Sequence, residues 1–154
     1  MGDLYDTDVV VWSERQAALL RRMAAGERVN DQIDWANVAE EIEALGISDR
    51  RELRNRVRTI LAHLLKLQVS PAIEPRAGWC ETILEQRAQL RTLLRDSPSL
   101  KSTVPAAISE ELLEARALVQ ASLAHHKEQP RRDPAALSYT DEQVLGPWLP
   151  DGSD

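Results

Sequence analysis

Glu40, Glu41 and Glu43 place three carboxylates within four consecutive positions. Clustered carboxylates can hold a hard or borderline metal, or serve as proton donor and acceptor. On a helix, which turns about 100° per residue, Glu40 points away from the inner face and Glu41 and Glu43 flank it on opposite sides. One helix therefore cannot aim all three at one ion, and a metal site needs an imidazole from His63, His125 or His126. The Glu-x-x-His pairs of di-iron bundles are absent, because Ile60, Ser122 and Leu123 stand three places before each histidine. What stays open is a mononuclear or small-ligand site on Glu41 or Glu43 with His63. No resident cofactor is implied.

Gln86 and Arg87 extend that set of polar candidates. Gln86 falls inside the stripe Trp79, Ile83 and Leu90, and Gln16 interrupts Trp12 and Leu19 in the same way. A buried amide without partners costs about 1–3 kcal/mol. Both glutamines thus imply a hydrogen-bonded network reaching Glu41, Arg87 or His63, or else a polar cleft between helices. His63 itself reads equally well as a boundary histidine bonded to a carbonyl or carboxylate, and His125 and His126 as cations at a helix C-terminus. Cys80 is the single cysteine, which excludes a disulfide framework; a lone thiol beside Trp79 reads as a packing residue. No Gly-x-Ser-x-Gly, phosphate-binding glycine loop or His-Glu-x-x-His motif occurs. No catalytic residue is assigned, and the reading leans away from an enzyme.

Charge is uneven along the chain. The 154 residues carry a formal net charge of −6, yet residues 34–47 hold four acids and no base, and residues 48–76 hold seven bases against three acids. Arg50, Arg51, Arg54 and Arg58 make the following helix basic, which keeps a nucleic-acid-associated role as an alternative. Their spread around the helix, the absence of interleaved aromatics and the acidic total disfavour it. The competing expectation is structural: an acidic helix and a basic helix, packed as a hairpin, neutralise each other by pairing Glu41 and Glu43 with these arginines.

These side chains need helices to position them. Apolar residues recur at 3.6-residue spacing, with few β-branched runs, and nothing approaches the roughly 20 apolar residues of a membrane span. The N-terminus lacks a secretory pattern, so a cytoplasmic protein without membrane partners is expected. The spacing predicts a first helix from Asp8 to Ala25, stopped by Gly26, and a second from Asp34, with Trp35, Val38, Ala39, Ile42 and Leu45 facing inward and Gly46 ending it. A third, capped by Ser48, runs to Val69 with Leu53, Val57, Ile60, Leu64 and Leu67 inward. A fourth covers about Ala77–Arg95, Pro98 opens a short turn, and a fifth runs from Pro105 to Lys127. Thr140 to Gln143 form a capping-box pattern before a short last helix. The expected fold is all-α, a single-domain bundle of about five main helices over 1–128, followed by a Pro-rich C-terminal arm over 129–154.

The landmarks also fall in a known order. They are Tyr5 and Asp8 ahead of Trp12 and Gln16–Leu20, then Asp34-Trp-Ala-Asn-Val-Ala-Glu-Glu-Ile-Glu-Ala-Leu-Gly46. Next come Arg51-Glu-Leu-Arg54, His63-Leu-Leu-Lys66, Trp79, Ile83 to Arg87, Asp96-Ser-Pro-Ser-Leu100, Tyr139-Thr140 and Leu149-Pro150. In this order they resemble the bacterial "domain of unknown function 29" family from about Leu4 to Pro150. The resemblance implies an all-helical fold and a bacterial source, and it supplies no activity.

Composition and motifs together point to a non-catalytic protein-interaction or regulatory module, working on a protein partner or as a homo-oligomer. Trp35, Trp79 and Trp148 are its candidate anchors, because large aromatics dominate interface energetics. The arm is expected to dock on the bundle or on a second subunit.

Overall fold

Asp8 and Asp34 sit just ahead of helices, where a short carboxylate satisfies backbone N–H groups that have no intrahelical partner. In the computed structural model, which describes residues 3–151, Asp8 accepts from the Val11 N–H at 3.0 Å and Asp34 from that of Asn37 at 3.4 Å. They open α2 (Val9–Ala24) and α3 (Trp35–Val69). A single turn, α1 (Leu4–Thr7), precedes α2. Gly26 adopts φ +91° after α2, the left-handed stop that the sequence predicts.

The remaining elements are α4 (Arg76–Asp96), α5 (Val104–His125) and α6 (Asp141–Leu145), with 3₁₀ turns at Asn30–Gln32, Pro98–Thr103 and Pro134–Ala136. Among the described residues every regular element is helical, so the fold is all-α. The Thr140–Gln143 capping box forms with both of its reciprocal bonds.

One expectation fails. The predicted second and third helices are a single 35-residue helix, α3, which passes through Gly46 and Ser48 without a break. Among the described residues four long helices result, where five were expected. A glycine inside a helix costs about 1 kcal/mol relative to alanine, too little to end a helix whose neighbours on both sides are good helix formers. With no break there is no hairpin to bring Glu41 and Glu43 beside the arginines that follow.

The chain forms two compact units, Met1–Ser48 and Asp49–Asp154. In the first, Trp12, Ile33 and Val38 are buried, with Leu4, Tyr5, Leu19 and Leu20 partly buried around them. Tyr5 meets Trp12 edge-on, ring centroids 4.9 Å apart. In the second, the α3 stripe Leu53, Val57, Ile60, Leu64 and Leu67 is buried as expected. It packs in one core with Ile83, Leu90 and Leu94 of α4, and with Ile108, Ala115 and Val119 of α5. Tyr139 and Val144, beyond α5, complete this core.

Candidate functional site

The polar candidates divide between the two units. In the first, Glu41 accepts a hydrogen bond from the Tyr5 hydroxyl at 2.6 Å. That bond, with lesser help from desolvation, pushes the Tyr5 hydroxyl up to about 12. Beside it, Asp34 gathers three side chains. It accepts from Asn37 Nδ2 at 2.7 Å and from Trp12 Nε1 at 3.1 Å, and its own N–H donates to Gln16 Oε1 at 2.8 Å. The Asn37 bond, aided by Trp12 and opposed by desolvation, holds the Asp34 carboxyl below its usual range. The polar interruption at Gln16 therefore belongs to a network that fixes where α3 begins.

In the second unit the candidates have other partners. Gln86 accepts from Arg56 Nη1 at 3.1 Å, and the same guanidinium holds Glu52 one turn earlier at 2.7 Å. His63 is half-buried with Nδ1 2.8 Å from the Thr59 carbonyl. Desolvation, with the charge of Lys66, moves its imidazole below the usual value despite that bond. Glu41 and His63 lie on the same helix many turns apart, and side chains on one helix meet only at spacings of three or four. Glu41 lies in the first unit and His63 and Gln86 in the second, each with the partners given above. Glu43 is exposed, and among the described residues no three His, Cys, Asp or Glu side chains converge as a metal site requires.

Arg87 is 2% exposed. Its Nε donates to the Val144 carbonyl at 2.9 Å, and its Nη2 to those of Gln143 and Trp148, each at 2.7 Å. These carbonyls lie at and beyond the C-terminal end of α6, where intrahelical donors run out and a cation is favoured. Burial, with the nearby charge of Arg91, lowers the guanidinium from its ordinary value. The residue acts as a fastener for the last segment of the chain.

The basic face also finds its partners elsewhere than expected. Arg54 Nε and Arg58 Nε grip the two oxygens of Glu111, on α5, at 2.8 and 2.7 Å, and Arg54 reaches Glu110 at 3.1 Å. Pairing of Glu41 and Glu43 with these arginines is therefore replaced by pairing between α3 and α5, because the hairpin does not exist. Burial raises the Glu111 carboxyl, but the two arginine bonds and their charges outweigh it and hold the group below the usual range. The sequence reading missed Glu111. Its signal was available: it interrupts Ile108, Leu112 and Ala115 as Gln86 interrupts its own stripe. Arg50 and Arg51 are exposed.

The three tryptophan anchors differ. Trp79 is half-buried beneath Lys66, whose Nζ lies 5.8 Å from the ring centroid, at a cleft of about 280 Å³ that His126 and Glu128 also line. Trp148 tilts against Tyr139 with centroids 6.2 Å apart. Trp35 is 45% exposed, and its Nε1 donates to the Asn30 carbonyl at 3.0 Å. Below it on α3, Ala39 is exposed, Ile42 is 62% exposed and Leu45 70%. Of the five residues expected to face inward here, only Val38 is buried, under the Trp12 and Ile33 cluster. The others form an apolar helical face in contact with solvent.

Residues 4–149 match the family model described as "Domain of unknown function DUF29". No curated protein and no solved structure matches the chain at a significant level.

Proposed function

Since the chain belongs to the family described as Domain of unknown function DUF29, which brings no assigned chemistry, we propose from its own surface that it is a non-catalytic protein-interaction module of the bacterial cytoplasm. One observation carries this reading: Trp35, Ala39, Ile42 and Leu45 recur at helical spacing on α3 and stand open to solvent. Single exposed apolar residues are ordinary, whereas a contiguous apolar face marks a binding surface. The exposed Leu84, Leu113 and Leu118 of the second unit have no such register. Among the described residues no helix is long and apolar enough to cross a membrane.

A photo-crosslinking residue placed at Ile42, with one at Leu113 as control, tests the reading in cells. A discrete protein adduct at position 42 and none at 113 is the expected result. The same pattern at both positions, or no adduct at 42, removes the proposal.

We assign the arm, 129–154, a role within its own chain as the clasp of the α4 and α5 core. The three Arg87 bonds support this, as does the Arg116 bond to the Leu137 carbonyl at 2.6 Å. Light scattering on the full chain gives a monomer if the clasp is internal. A dimer that reverts to monomer on truncation at Gln129 gives an arm exchanged between subunits instead.

A further inference from the structure

Resting on that interaction reading, we infer that the exposed face of α3 receives a cationic amphipathic helix of another protein. Charge decides the partner's character. Residues 1–48 contain ten acids and four bases, so the first unit carries −6; residues 49–154 contain fifteen of each and carry none of the net charge. The whole excess therefore lies on the unit that presents the face.

The local arrangement is narrower still. At about 100° per residue, Trp35, Ala39, Ile42 and Leu45 fall in an arc roughly 120° wide that also holds the buried Val38, and Glu43 on one side and the Tyr5-bonded Glu41 on the other border it roughly 40° beyond its edges. Glu40 lies further round, and both it and Glu43 are exposed. No base occurs between Asp34 and Ser48. An apolar seam edged by carboxylates on both sides is matched by a helix with apolar residues at the same spacing and Lys or Arg beside them. A second copy of the seam brings carboxylates against carboxylates, and an anionic lipid surface is repelled in the same way.

The test uses the full chain and two labelled synthetic peptides with the same Leu/Ile helical pattern. One carries Lys and Arg beside the apolar positions, the other Glu, and binding is read by fluorescence anisotropy. The basic peptide binds, and the acidic one binds about tenfold more weakly or not at all. That gap closes in about 1 M salt and narrows in Glu40→Gln/Glu43→Gln. Ile42→Ala/Leu45→Ala, at exposed positions where alanine favours the helix, abolishes binding while the circular dichroism spectrum stays unchanged. Equal binding of both peptides overturns the cationic partner and leaves the interaction face standing. Binding of neither peptide by a monomeric chain removes the interaction face as well. Self-association that Ile42→Ala/Leu45→Ala abolishes makes the occupant a second copy and overturns the inference.

Discussion

Two stretches of α3 obey the same 3.6-residue apolar period and meet opposite fates. From Leu53 to Leu67 the stripe is buried within the second unit, whereas from Trp35 to Leu45 it stands largely in solvent. The period itself is the same in both. What differs is the company: α4 and α5 bring matching apolar stripes to the later stretch, while the short α1 and α2 bring one small cluster that covers Val38. Periodicity thus states that a helix face is meant to be covered, and leaves open whether its own chain does the covering.

Substitutions on this one helix sharpen the contrast. Ile60→Ala, at a position with no exposure, lowers unfolding stability by about 2–5 kcal/mol. Ile42→Ala, the same chemistry at 62% exposure, changes it by no more than about 0.5 kcal/mol. Comparable losses in urea denaturation would erase the distinction between the two stretches.

Polar anchoring separates the units by a smaller margin. Arg87→Ala removes three bonds from a buried guanidinium and costs about 2–4 kcal/mol, seen as a lower thermal midpoint and earlier proteolysis after Lys127. In the first unit, Trp12→Phe keeps the ring packing and removes only the bond to Asp34, a loss of about 1 kcal/mol.

Acid probes the α3–α5 ion pairs. The native Glu111 carboxyl lies below its ordinary 4.5, so at low pH the unfolded chain binds the extra proton first. Its contribution is therefore full above about 4.5 and is lost as pH falls through the lower native value. Arg54 and Arg58 are 51% and 37% exposed, against 2% for Glu111, so water and salt weaken the pairs. Glu111→Gln flattens the acid limb of a stability-against-pH curve. A limb of unchanged slope assigns the acid sensitivity to other carboxylates.

Much of the second unit was legible in the sequence. The stripes of α4 and α5, the Pro98 turn and the Thr140 capping box all appear where local chemistry places them, because there local preference and tertiary packing agree. The error at Gly46 arose from reading a glycine followed by a good capping residue as a stop and a start. Such signals are worth about 1 kcal/mol each, and a helix with good formers on both sides overrides them. Glu41 with Tyr5, Arg87 with Trp148 and Glu111 with Arg54 were not legible. They join residues 36, 61 and 57 positions apart, and no local pattern encodes a partner at that range.

The Arg87 fastener also fixes an order of events during synthesis. Its last acceptor, the Trp148 carbonyl, is 61 residues downstream. At ribosomal rates of about 5–20 residues per second, the guanidinium waits roughly 3–12 s for it. Closing the α4 face before that point leaves the buried guanidinium short of an acceptor, at the cost of an unpaired buried donor. The bond from Tyr5 to Glu41 spans only 36 residues. Both partners of that bond are synthesised before α4 begins, whereas those of the Arg87 fastener are complete only near the end of the chain.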